Sequence, residues 1–198
     1  MDELDLLDWR RRVDAMYDEV RTLGPRVGHV RWRAIRDQLF REHPQSPLPP
    51  EGRAAFSGLR YWEYDPAFRF AGRVRARPGD RFELRTTTGE ALAMRRFGVV
   101  ELPIGSLDVF WVDVYGGGVF IPFRDGTSGK ETYGGGRYLI DTVKGADLGS
   151  NERGELVLDL NFAYHPSCHY DVRWSCPLAP RENWLEAEVR AGEMSYPG

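Results

Sequence analysis

Apolar residues recur every three to four positions in the N-terminal part of the chain and every second position after it. Trp9, Val13, Met16, Tyr17 and Val20 fall at i, i+4, i+7, i+8 and i+11, one face of a helical period. Gly24-Pro25 predicts the end of this helix, because glycine accepts a left-handed cap and proline cannot continue the ladder. A second helix follows, with Trp32, Ile35 and Leu39 on one face and a stop at His43-Pro44. Pro44-Gln45-Ser46-Pro47-Leu48-Pro49-Pro50 reads as a semi-rigid, polyproline-like connector.

From about Arg60 the period is two. Arg73-Val74-Arg75-Ala76-Arg77 alternates charged and small apolar residues, as a half-buried strand does. Arg81 to Thr86 and Ala91 to Phe97 flank a turn at Thr88-Gly89. Val109 to Tyr115 and Val119 to Phe123 flank Gly116-Gly117-Gly118, a second hairpin. Tyr138 to Val143 and Glu155 to Phe162 are two more expected strands. Short strands, Gly-rich turns and no later helix predict a mainly β protein. The expected architecture is an antiparallel β-barrel, calycin-like or a related closed barrel, with two N-terminal α-helices. Closure removes strand edges and leaves room for a ligand. The expected division is a helical segment and connector over 1–50 and the barrel domain over 51–198.

Composition narrows the function classes. The 198 residues are 41% apolar and 29% charged, enough for one domain with a real core. Mean hydropathy is −0.50, and no apolar run approaches the roughly 18 residues of a membrane span. Two cysteines exclude a disulfide-dense scaffold. The net charge of −3 argues against binding a polyanion by bulk charge. All but two of the 27 basic residues are arginine, which reads as the codon bias of a GC-rich genome. The acidic start, Met1-Asp2-Glu3-Leu4-Asp5, has no signal-peptide pattern, so the cytoplasm is the expected location. Arg69, Arg73, Arg75, Arg77, Arg81 and Arg85 form a basic stretch with few interleaved aromatics. It reads as a solvated outer face, not a nucleic-acid surface.

Two polar segments hold the candidate chemistry. The first runs from Arg124 to Tyr138. Its Gly126-Thr127-Ser128-Gly129-Lys130 is not a P-loop: such a loop needs four residues between its glycines, two stand here, and Glu131 replaces the Ser or Thr. Ser128 is a candidate nucleophile, but no Gly-x-Ser-x-Gly elbow surrounds it, and a triad would need His29, His43, His165 or His169 in space. Alternatively, Asp125 bonds its own loop backbone, or Arg124, Lys130 and Arg137 clamp an anion. The second segment runs from Asn161 to Pro177. His165, Cys168, His169 and Cys176, spaced by three, one and seven, do not match paired zinc arms, so no metal is expected. A Cys168–Cys176 disulfide is disfavoured in a reducing cytosol, and the thiols also read as small buried hydrophobes. A reactive Cys168 would need His165 or His169 as its base.

These segments also carry a resemblance. Phe120 to Leu139, Asp159 to Cys168 and Cys176 to Asn183 are similar to the signature of an uncharacterised prokaryotic family, the domain of unknown function numbered 1684. Tyr64 to Arg69 and Arg190 to Glu193 look like it too. The resemblance spans most of the chain but implies no activity and no cofactor. His165 stands where the family pattern carries Asn, and His169 where it often carries a non-His residue. That argues against a His-based metal site or a His-activated cysteine. The matching positions include Arg124, Asp125, Ser128, Tyr133, Arg137, Asn161, Tyr164, Cys168, Glu182 and Asn183, and also Tyr138 and Cys176. Their polarity looks more like a site than a core, although polar side chains also pin long loops. Three expectations follow. The first is a barrel pocket, lined by the ten residues from Arg124 to Asn183 just named, that binds a small anionic molecule, with neither nucleic acid nor membrane as partner. The second is a hydrolase with Ser128 or Cys168 as nucleophile and Asp125 or Glu182 assisting proton transfer. The third is a structural or partner-binding module with no pocket.

Overall fold

Helix α1 spans Asp2–Thr22, with Asp2, Glu3 and Asp5 in its first turn, where carboxylates complement the helix dipole. It buries Val13, Met16, Tyr17 and Val20. The computed structural model describes residues 2–196. Helix α2 spans Pro25–Glu42. Gly24 does not take the expected left-handed conformation. Its φ of −63° and ψ of 150° make it the extended N-cap of α2, because Pro25 at the first helical position steers the preceding residue away from the helical region. The helices cross closely where Gly28 meets Val20. The proline connector is not a free spacer. Leu48 is buried, Ser46 Oγ donates to the Phe40 carbonyl at 2.6 Å, and Trp174 Nε1 donates to the Pro47 carbonyl at 3.1 Å. A short helix, α3, follows over Pro50–Ala54.

The strands are β1 (Arg69–Gly72), β2 (Arg75–Ala76), β3 (Arg81–Arg85), β4 (Ala91–Leu102), β5 (Gly105–Val112), β6 (Gly118–Phe123), β7 (Arg137–Asp141) and β8 (Leu156–Asp159). β4, β5, β6 and β7 form an antiparallel meander, and β2 and β3 both pair with the outer side of β4. The turns at Thr88-Gly89 and at the three glycines lie where the sequence placed them. β4 runs on to Leu102 and β5 begins at Gly105, so the strands extend into 98–108, between the expected strands Ala91 to Phe97 and Val109 to Tyr115. β7 and β8 are shorter than expected, each closing in a 3₁₀ turn (Thr142–Lys144 and Leu160–Phe162).

The barrel expectation is corrected here: among the described residues no sheet is closed. β1 pairs only with β8, as a separate two-stranded ribbon, and β7 pairs with neither β2 nor β3. Two features keep the sheet open. The outer side of β7 is met by Tyr164, whose N–H and carbonyl pair with those of Tyr138 at 3.1 and 2.8 Å. Both faces of the sheet are also packed, which leaves no lumen. Met94, Phe110, Val112, Phe120 and Tyr138 join the helix residues Val13, Met16, Tyr17 and Val20 in one core. Val100, Leu107, Val109, Ile121 and Phe123 join Leu158, Leu160, Leu185 and Val189 in a second. The ribbon lies so close to the sheet that a Cβ on Gly72 would stand 2.3 Å from Val100 Cγ2. No helix among the described residues is long and apolar enough to cross a membrane.

Candidate functional site

Arg137 opens β7 and is fully buried beside Asp125, its Nη2 2.7 Å from Asp125 Oδ2, with both side chains 1% exposed. Its guanidinium also donates to the carbonyls of Val189 (2.9 Å) and Ala191. Asp125 Oδ1 accepts from the Thr127 N–H at 2.7 Å and the Thr127 hydroxyl at 2.6 Å. Burial pulls the Arg137 guanidinium below its ordinary range, and the Asp125 charge opposes that pull. Together they tie the 124–137 loop to the C-terminal segment.

The two signature asparagines act in the same way. Asn183 Oδ1 accepts the Asp108 N–H at 2.8 Å, and its Nδ2 donates to the carbonyls of Asp108 (3.0 Å) and Pro122 (2.7 Å), stapling β5 to β6. Asn161 exchanges bonds with the Asp65 backbone at 2.9 and 2.8 Å and donates to Asp159 at 2.8 Å. Ser128 Oγ accepts the Asp125 N–H at 3.1 Å, and no histidine bonds it among the described residues. Arg124 lies over the Trp184 ring, 4.1 Å from its centroid. Glu182 is exposed on the 3₁₀ turn Arg181–Asn183 and lines a recess beside Arg96 and Phe82. The structure therefore joins Arg137 to Asp125 and Asp125 to Ser128. The Arg124 N–H donates to the Asn183 carbonyl at 2.9 Å, which puts Asn183 and its neighbour Glu182 beside Arg124, and Asn161 stands apart against Asp65 and Asp159.

Tyr133, Cys168 and Tyr164 lie on the other side of the loop system. Tyr133 donates its N–H to His165 Nε2 at 3.2 Å, so the imidazole proton sits on Nδ1. That Nδ1 is buried without a hydrogen-bond partner, 3.9 Å from Glu193 Oε1. Burial pushes His165 below the usual histidine range and His169 down to about 4, so both are neutral near pH 7. Cys168 Sγ lies 3.9 Å from Tyr133 Oη. The Cys168 N–H donates to Cys176 Sγ at 3.3 Å. Both cysteines are free thiols.

A buried charged cluster was missed by sequence reasoning. Glu193, fully inaccessible, accepts from Arg36 Nη2 at 2.8 Å, from the His165 N–H at 3.0 Å and from the Tyr170 hydroxyl. Arg36 also donates to the Tyr61 hydroxyl at 3.0 Å. Burial pushes the Glu193 carboxyl up, but Arg36, His165 and Tyr170 outweigh it and hold the group at about 2. Arg36 lies 157 positions from Glu193, so no spacing rule links them.

Beside this cluster a cleft opens between α1, α2, Lys144 and the segment after Tyr164. Its volume is about 50 Å³, and it is lined by Val13, Met16, Tyr17, Leu39, Lys144 and Tyr164 among others. Trp9, Lys144 and Ser167 also line an adjoining outer lobe of about 160 Å³, which Trp174, Ser175 and Cys176 line as well. Burial, with Asp141 and Tyr17 nearby, raises the Tyr164 phenol well above its usual range, so it is a neutral hydroxyl. Lys144 Nζ is loosely held, 3.8 Å from Asp141 Oδ2 and 42% exposed. Among the described residues no group of three or more His, Cys, Asp and Glu side chains converges as a metal site.

A search of curated proteins finds no match. Among solved structures, the chain is similar to the NMR structure of an uncharacterised protein from locus rrnAC0354 of Haloarcula marismortui. The identity is 36%, the match covers 82% of this chain and 89% of that one, and the TM-score is 0.55. The family model described as "Protein of unknown function (DUF1684)" matches residues 54–194, from the end of α3 through Glu193 and its neighbour Met194. With most of its length matched, the chain belongs to this family of proteins of unknown function, DUF1684.

Proposed function

We propose that the protein binds a small amphipathic anion in the cleft between α1, α2 and the segment from Tyr164 to Cys176. The observation that carries this reading is the convergence, in one concave site with apolar walls, of the Lys144 ammonium and the Tyr164 hydroxyl, which has no hydrogen bond within the described protein. Met16, Val13 and Leu39 would take the apolar part of the ligand, Lys144 its charge, and Tyr164 a second polar atom. The narrow inner lobe suits a flat or chain-like group, and the wider outer lobe suits a head group. In this reading Asp125, Arg137, Asn161 and Asn183 hold the loops that shape the cleft, because their hydrogen bonds go to other groups of the protein, with only the buried Arg137 Nε left without a partner. Nucleic acid does not fit this reading. Several of the arginines in that region meet carboxylates, Arg75 with Glu101, Arg77 and Arg96 with Asp108, and Arg81 with Asp113, and Arg73 donates to the Arg153 carbonyl.

Native mass spectrometry of protein purified gently from cells tests the proposal against its denatured mass. A retained small molecule, lost on denaturation and lost in Lys144→Glu, is the expected result. A bare native mass together with an unchanged melting temperature across a panel of fatty and aromatic carboxylates would remove this reading.

A further inference from the structure

Cys176 is held in place from two directions. Its N–H donates to Thr87 Oγ1 at 3.2 Å and its carbonyl accepts the Thr87 N–H at 3.0 Å, which fixes it to the β3–β4 hairpin. From the other side, the 3₁₀ turn Ser167–His169 aims the Cys168 N–H at its sulfur. Cys176 also lines the outer lobe, which Lys144 shares. The thiol is therefore buried, positioned, next to a second thiol, and reached by a cleft.

We propose that Cys176 and Cys168 are a peroxide-reducing dithiol, with Cys176 as the attacking sulfur and Cys168 as the resolving one. The asymmetry has a physical cause. The Cys168 thiol, Lys144 and the backbone N–H groups of Cys168 and Ser167 outweigh burial and pull the Cys176 thiol down. Its partner is pushed up, first by the hydrogen bond it shares with the Cys176 sulfur, then by burial, and then because a charge on Cys168 would face the Cys176 thiolate. His165 and His169, the bases that a reactive Cys168 would have needed, are neutral and contribute no cation; Lys144 does.

The chemistry balances with a hydroperoxide as oxidant. The Cys176 thiolate attacks one peroxide oxygen, the O–O bond breaks, and the leaving oxygen takes a proton and departs as water or an alcohol. Cys176 is then a sulfenic acid. The Cys168 sulfur attacks the Cys176 sulfur, the S–O bond breaks, and the thiol proton leaves with the hydroxide as a second water. Two thiols lose two electrons, the peroxide gains them, and a Cys168–Cys176 disulfide remains. With a sulfur so enclosed, the cleft favours a small oxidant over a bulky disulfide. This proposal does not depend on a retained anionic ligand.

The test uses the full chain, reduced, freed of reductant and exposed to hydrogen peroxide. Intact mass should fall by two hydrogens as both thiols become resistant to alkylation, at a rate at least about tenfold above that of free cysteine. Cys168→Ser should stop at a sulfenic acid on Cys176 that a 1,3-dione traps. Lys144→Met should slow iodoacetamide labelling of Cys176 and move its pH profile upward. Reaction no faster than free cysteine, or no disulfide in the folded wild type, overturns the proposal. If the cysteine variants fail to fold, peptide mapping of briefly alkylated wild type decides. First labelling at Cys176 supports the assignment and first labelling at Cys168 overturns it.

Discussion

The loop from Arg124 to Arg137 and the segment from Tyr164 to Cys176 are both rich in polar side chains, and they use them in opposite ways. In the first, Asp125 accepts from Thr127 and Arg137, and Arg137 spends its Nη donors on three carbonyls and that carboxylate. In the second, His165 Nδ1 has no partner, Tyr164 lines a cleft and its hydroxyl makes no hydrogen bond among the described residues, and the Cys176 sulfur meets an N–H at 3.3 Å. Polar content alone does not mark a site. What distinguishes the two is surplus bonding capacity beside open space. A polar cluster that is closed off from solvent and nearly saturated, with only the Arg137 Nε unpartnered, rigidifies, and an unsaturated one at a cleft is left to meet something else.

The sharpest way to break this comparison is to remove one half of the buried ion pair. Arg137→Met should leave Asp125 charged, buried and short of its strongest partner, and it should cost about 3–5 kcal/mol in urea unfolding. The double variant Arg137→Met with Asp125→Asn should recover part of that loss. If Arg137→Met is as stable as wild type, the loop is not a brace and its assignment returns to ligand binding.

Acid titration sets the next effect. Glu193 is held at about 2 against its ordinary 4.5. The unfolded chain therefore takes up this proton first as pH falls. The associated stability is complete above about pH 4.5, declines below it, and is gone below about pH 2. Its size is on the order of 3 kcal/mol. Glu193→Gln, which cannot titrate, should begin less stable at pH 7 and show a flatter curve between pH 5 and about pH 2. Parallel curves for the two proteins would show that Glu193 is not held low.

What the sequence made legible divides along the line between local and remote. The face of α1 and the turns at Gly89 and Gly116 to Gly118 depend on neighbours a few positions away, and they are found where expected. Gly24 was placed at the right boundary with the wrong conformation, because Pro25 acts on it from the other side. Barrel closure could not be read in the same way. It depends on which chain meets the outer side of β7, and that role falls to Tyr164. β1 pairs with β8 across 90 positions, Arg69 opposite Asp159, with no pattern to announce it. The polarity of the signature was visible as sequence, but its direction was not. Asn161 and Asn183 differ from ligand-binding asparagines only in having backbone partners already in place. Cys176 stands out once Lys144 and the Cys168 N–H are beside it.

The smallest stability effects separate the two regions most cleanly. Tyr164→Phe removes a hydroxyl that makes no hydrogen bond in the described protein and leaves the ring on Tyr138, 5.8 Å between centroids. Unfolding stability should change by less than about 0.5 kcal/mol. The same change removes the second polar contact of the proposed ligand, so retention in native mass spectrometry should fall while the fold is untouched. Ser128→Ala should do the reverse. It removes an acceptor from the Asp125 N–H at 3.1 Å, should cost about 1 kcal/mol and should leave retention unchanged. The crossed pattern is the informative outcome, because a merely structural Tyr164 and a merely structural Ser128 would move stability alone. Loss of retention in Ser128→Ala but not in Tyr164→Phe would return the site to the signature loop, because only a ligand held there depends on Ser128 and ignores Tyr164.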